Sequence, residues 1–177
     1  MGTEGTEDAE GRESPTPSRW MRPLAAVLVV AFVGLAALAV AYFGRWNSAR
    51  AADSHRSAAM SAARQEAVNF VSVDADRAKQ TTQRVLDGAT GQFRTEYAKG
   101  RDQVVSLIVQ NKVKSSGQVL ESGVVSSNSR HATVLLVVDS TVKNTAQPTG
   151  QVRHYRIQMQ MSHEHGAWKA SSLEFVG

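Results

Sequence analysis

Residues Leu24 to Phe43 read LAAVLVVAFVGLAALAVAYF, twenty positions without a charge, an amide or a proline. As a helix at ~1.5 Å per residue this run is ~30 Å long, the thickness of a bilayer's hydrocarbon core. A helix also satisfies its own backbone groups, as lipid requires. Trp20 and Arg22 flank one end; Tyr42, Arg45 and Trp46 flank the other, the residue types that anchor a span at its interfaces. Ala39-Val40-Ala41 fits a signal-peptidase pattern. The run is nevertheless longer than the ~7–15 residues of a signal h-region, and the segment before it is acidic. The expectation is a tail over residues 1–22, a transmembrane helix over 23–44 and a soluble region over 45–177.

Charge does not orient the span. Arg12, Arg19 and Arg22 precede it, and Arg45, Arg50 and Arg56 follow, a tie under the positive-inside rule. Residues 1–18 are mostly Gly, Thr, Glu, Ser and Pro, too polar to offset their ordering entropy, and read as a disordered tail. Beyond the span 17 Lys or Arg stand against 11 Asp or Glu. That surplus of six is scattered and accompanies no nucleic-acid-binding motif, so no nucleic acid partner is expected. The surplus fits a mild attraction to anionic lipid headgroups and the absence of any functional meaning equally well. The chain has no cysteine, which excludes disulfides and thiolate metal sites.

After the span, Asn47 to Ser72 is rich in Ala, Ser and Arg, with Ala59, Ala63, Ala67, Phe70 and Val71 at helical spacing. A helix there can leave the membrane as a stalk and pack its last turns into a domain. Asp74 and Asp76 open a second helix, with Val85 and Leu86 on its buried side. Thr90 is positioned to cap a third, over Gln92 to Asn111, whose stripe of Phe93, Tyr97, Val104 and Ile108 predicts core packing. From Val113 the period falls to two. Strands are predicted over Val113–Val125, His131–Lys143, Gln151–Ser162 and Trp168–Val176, with a tight turn at His165-Gly166. The stretch from Val134 to Val138 is apolar on both faces, which predicts a strand inside the sheet or covered on both sides. Helices first and strands last give an α+β domain, helices on one face of a four-stranded antiparallel sheet.

Some of these residues carry a resemblance. They are the turn-helix Thr90-Gly91-x-Phe93-Arg94-x-Glu96-Tyr97, the run from Ala132 to Asp139 followed by Thr141-Val142-x-Asn144, and the terminal Gly166 to Glu174. In this order, behind an anchor and an Ala-rich helix, they resemble the Mce-associated membrane proteins. These are accessory subunits of the mammalian-cell-entry lipid importers of mycolic-acid bacteria. The resemblance implies a curved, cone-shaped, cystatin-like domain of the nuclear-transport-factor superfamily, similar to the periplasmic domain of a type IV secretion assembly subunit. It also implies a cytoplasmic tail and a periplasmic domain on the inner membrane.

Members of that superfamily include isomerases and dehydratases, so chemistry has to be tested residue by residue. Proton transfer needs a desolvated carboxylate or His near a Tyr or a second acid. Tyr97, Asp139 and His154 are the candidates, and nothing in their spacing pairs them. His163 and His165 would share one strand face with Glu164 turned away, and His154 would offer a third ligand. A structural zinc site needs four, so a solvated hairpin end is expected. No catalytic residue, metal or cofactor is assigned. The expected function is a non-catalytic accessory subunit of an Mce-type importer, contacting importer subunits or other membrane proteins. Gly34, Ala37 and Ala41 would present one small-residue face to a neighbouring helix. The alternatives are a module holding a lipid or sterol in the cone, and an enzyme.

Overall fold

The computed structural model describes residues 35, 38, 39 and 50–177. The tail and the apolar run, apart from helical Leu35, Leu38 and Ala39, lie outside the described residues, as do Gly34, Ala37 and Ala41. Among the described residues no helix is long and apolar enough to cross a membrane. The chain divides between residues 47 and 48, and the unit 48–177 is described by itself.

Its described part opens with a helix over residues 50–71 (α1). Ala59, Ala63 and Ala67 of α1 are fully buried, and Val71 nearly so. They stand one turn apart, and their small side chains let the helix lie close on the sheet. Contact begins well before the last turns, because His55 is already half-buried. Asp74 accepts a hydrogen bond from the Asp76 amide (3.0 Å) and opens a 3₁₀ turn, Ala75–Arg77. The helix α2, Ala78–Gly88, follows and buries Val85 and Leu86. Then comes α3, Gly91–Gln110, whose stripe is as expected: Ile108 is buried and Phe93, Tyr97 and Val104 are half-buried. Thr90 precedes α3 without capping it. Its hydroxyl donates instead to Glu164 (2.7 Å), while its amide donates to Ala170 O (2.8 Å), tying the α2–α3 junction to the sheet.

The strands are β1 (Lys114–Ser127), β2 (His131–Lys143), β3 (Gln151–Glu164) and β4 (Ala167–Phe175), antiparallel and in the order β1-β2-β3-β4. His165 and Gly166 both have positive φ, the geometry of a two-residue hairpin that suits the twist of its strands. One face of the sheet carries Val134, Leu136, Val138, Ile157, Met159 and Met161, all buried against α1. The bulk absent from α1's alanines comes from these side chains. Val119 and Val124 of β1, and Trp168 and Leu173 of β4, pack around this core.

β1 shifts register between Val119 and Glu121 and again between Val124 and Ser126, two bulges along an edge strand. Arg56 of α1 donates to Val124 O (3.3 Å); Arg64 donates to Ser122 Oγ (2.8 Å) and Val119 O (3.4 Å). Bulges and guanidinium groups thus occupy an edge that would otherwise invite another strand. At the foot of β1, a Cβ on Gly117 would fall 2.1 Å from a Val71 methyl. Glycine is what lets the end of α1 close onto the strand there.

Candidate functional site

In an α+β domain of this kind, chemistry would sit between the helices and the inner sheet face. Phe70 of α1, Phe93 and Tyr97 of α3, Tyr155 of β3 and Phe175 of β4 meet there, in ring contacts of 5.5–6.3 Å between centroids. Such tilted pairs add roughly 0.5–1.5 kcal/mol each beyond area burial. The five rings form one connected cluster that fills this space with half-buried side chains and has Phe175 exposed at its rim.

One turn before Phe70, Glu66 is 3% exposed. Burial pushes its carboxyl up to about 8; a hydrogen bond from Asn69 (3.2 Å to Oε2) pulls the other way, and the Asp87 charge adds a smaller upward push. Its Oε1 has no partner among the described residues. Glu66 lies against the end of α2, where a Cβ on Gly88 would fall 1.9 Å from Oε2. Tyr97 is also raised, chiefly by burial and then by the Glu66 charge. A carboxyl that keeps its proton at neutral pH beside a phenol is the acid–base pairing sought among Tyr97, Asp139 and His154. The sequence placed Tyr97 but missed Glu66, a charged residue inside a polar helix whose burial depends on α2 folding back over it. The site lacks room for a substrate: helix backbone closes one side of the carboxylate and the ring cluster adjoins it.

Asp139 and His154 come together elsewhere. They are cross-strand partners on β2 and β3, and Nδ1 of His154 lies 2.5 Å from Oδ1 of Asp139. This pair stands on the sheet face opposite the buried core, away from Tyr97, with His154 largely exposed. A two-residue surface dyad on separate strands left no trace in the spacing.

The three histidines do not converge. His154 and His163 lie nine residues apart on β3, ~30 Å at strand rise. His165 sits in the turn at φ 51° and does not share a face with His163, because a turn abandons the two-residue period. His163 meets His55 (5.5 Å) and Trp168 (5.1 Å) instead. Among the described residues no three His, Asp or Glu side chains group as metal ligands.

The opposite face of the sheet is where apolar side chains meet solvent. Leu135 is 41% exposed and Val137 37%, both in the middle of β2. Beside them a slot of about 250 Å³ is lined by Glu121, Gly123, Leu135, Val137, Arg156 and Val176, among others. β2 lies inside the sheet as expected, yet among the described residues only one of its faces is covered.

Solved structures share this arrangement. An IcmL-like type IV secretion system protein from Legionella pneumophila superposes with a TM-score of 0.55 at 10% identity, over 66% of this chain and 88% of that one. The periplasmic domain of DotI gives 0.56 at 13% identity, over 68% and 94%. CagV, a VirB8 homolog from Helicobacter pylori, gives 0.53 at 8% identity, over 68% and 97%. At such identities the likeness is one of fold: three helices on a four-stranded antiparallel sheet. In sequence, the protein described as Uncharacterized protein Rv1363c of Mycobacterium tuberculosis is 32% identical over 154 residues, 86% of this chain and 57% of that one. The chain therefore spans little more than half the length of that relative. The family described as "Uncharacterized protein Rv1363c/MT1408-like" matches residues 20–177, and the chain belongs to it.

Proposed function

We infer that the protein is a non-catalytic accessory subunit of a cell-envelope complex, working by holding other proteins. The observation that carries this reading is the filled interior. Alanines of α1 and the five-ring cluster occupy the space in which a superfamily enzyme would hold substrate or a binding module its lipid. The likeness to an IcmL-like type IV secretion system protein and to CagV, a VirB8 homolog of a type IV secretion system, supports a role in an assembly. In the finer form of the proposal residues 1–22 are cytoplasmic, 23–44 span the inner membrane, and 45–177 face the periplasm as part of an Mce-type lipid importer. Confinement to one membrane raises the effective concentration of domain and partner, so span and domain can each bind weakly.

Affinity purification from native membranes in mild detergent tests this. Importer subunits are expected with the full-length chain, and far fewer with either half. Recovery of the chain alone, with tight lipid binding or lipid turnover by the domain, would replace the scaffold by the binding or enzymatic reading. Orientation is tested separately with a cysteine at Ser127, the exposed end of β1. Labelling by an impermeant thiol reagent in intact cells stripped of their outer layer is expected; labelling only after lysis reverses the topology.

A further inference from the structure

We propose that the uncovered face of the sheet binds a second copy of this chain about a two-fold axis running along β2. In cross-strand order the central row of that face reads Glu121 (β1), Val137 (β2), Arg156 (β3), and the next reads Gly123, Leu135, Gln158. Strands stand ~4.8 Å apart, so Glu121 and Arg156 flank Val137 at ~5 Å on either side. Neither makes a salt bridge or a side-chain hydrogen bond within the described residues. A two-fold along β2 carries the β1 side of one copy over the β3 side of the other. Glu121 then faces Arg156 of the second copy, twice over. Val137 meets its own equivalent on the axis, and so does Leu135. Gly123, whose absent side chain leaves open space, faces Gln158 of the second copy. These two rows are self-complementary in charge, in hydropathy and in shape, as an isologous interface demands; in the adjacent row the axis sets Asp139 beside its own equivalent, each held to the His154 of its own copy.

A second copy fits better than a small ligand. The slot of about 250 Å³ falls below the ~300–1,000 Å³ usual for small-molecule sites. It is also a shallow trough between strands with a carboxylate on one bank and a guanidinium on the other. The inference does not rest on the identity of any importer.

The test uses the full-length chain in mild detergent. Face-to-face sheets stand ~10 Å apart, too far for a direct disulfide, so a short bis-maleimide is the probe. The chain has no cysteine of its own. Val137→Cys is expected to cross-link to itself in high yield, and a cysteine at Ser127 is not. Glu121→Arg sets arginine against arginine, and Arg156→Glu sets glutamate against glutamate. Each, added to Val137→Cys, is expected to lower cross-linking roughly tenfold or more, with sedimentation equilibrium shifting toward monomer. Mixing the two charge variants under different tags is the decisive arm. Residue 121 of each copy then finds its opposite charge on residue 156 of the other, and mixed dimers are expected to recover. Cross-linking that survives both single reversals, or fails to return on mixing, overturns the proposal. So does a Val137→Cys chain that reacts freely with a monofunctional maleimide and forms no dimer. Protection of that cysteine in a monomeric chain also overturns it, assigning the face to the chain's first 47 residues or to another protein.

Discussion

The two faces of β2 are nearly alike in sequence and opposite in fate. Val134, Leu136 and Val138 point inward and are at most 2% exposed; Leu135 and Val137, interleaved with them, are about two-fifths exposed. Composition cannot produce that difference, because all five are branched aliphatic residues. Chain order produces it. Among the described residues of the unit 48–177, three α-helices precede a four-stranded meander, and α1 lies across the sheet on one side. A hydropathy pattern reports which residues seek burial, and only topology decides which of them the chain's own helices reach.

The largest expected effect tests that contrast directly. Leu136→Ala should cost ~2–5 kcal/mol, since the side chain is fully enclosed and its loss leaves a cavity. Leu135→Ala, one position along, should cost under ~1 kcal/mol in a monomer, because much of its surface already meets water. Urea unfolding followed by circular dichroism gives both values. Equal costs would mean that the outer face is covered, and their dependence on protein concentration would tell a second copy from cover within a single chain.

Next comes Glu66, the polar exception on the inner side. Its proton is held up to about pH 8 in the folded state but released near 4.5 on unfolding. Between those values the native state binds more protons, so stability falls as pH rises through that window and levels off above it. At pH 7 the accumulated loss is up to ~3 kcal/mol. Glu66→Gln should erase the slope, matching the parent chain near pH 4.5 and exceeding it at pH 8 by ~4 kcal/mol. Melting temperatures across pH 4.5–8.5 measure it, and parallel profiles for parent and variant would show that Glu66 is solvated.

How much was legible beforehand follows the same division between pattern and topology. Periodicity placed β2 at its observed bounds and separated Tyr155, Ile157, Met159 and Met161 from the opposite side of β3. The alanine register of α1 was readable because 59, 63 and 67 recur at the helical period. What escaped needed two distant segments at once. Glu66 is buried by a glycine 22 positions on, Asp139 meets His154 across a hairpin, and Thr90 gives its cap position up for Glu164 of β3. His165 was misplaced for a local reason: positive φ in a two-residue turn breaks the alternation that the strand obeys.

Trp168 gives a smaller effect between the two extremes. As expected it packs on the helix side, against His55 of α1 and His163 of β3, but it is the second residue of β4 and only half-buried. Trp168→Ala should therefore cost ~1–2 kcal/mol rather than the ~3–5 of an enclosed tryptophan. Chemical unfolding followed by circular dichroism gives the value. A loss above ~3 kcal/mol would place this end of the sheet in the core.

The smallest effect belongs to the outer face. Asp139 and His154 make the shortest side-chain contact between β2 and β3, yet the imidazole is 74% exposed. In water the Coulomb gain of such a pair is offset by solvent screening and by the entropy of fixing two side chains. Asp139→Asn keeps the volume and an acceptor for the imidazole N–H, so it should change stability by less than ~0.5 kcal/mol. A double-mutant cycle with His154→Gln should give a coupling energy below ~1 kcal/mol, shrinking further in 0.5 M salt as surface charges are screened. A coupling of ~2 kcal/mol or more, insensitive to salt, would mean that the pair is desolvated in the protein as it exists in solution. Asp139 is 21% exposed but His154 74%, so desolvation of the pair would have to come from another surface laid over the imidazole on this side of the sheet. Repeating the cycle with Glu121→Arg in the background then identifies that surface. If the coupling falls to the exposed-pair value in that background, the cover is the second copy whose Arg156 meets Glu121. If it stays high, some other surface covers the dyad.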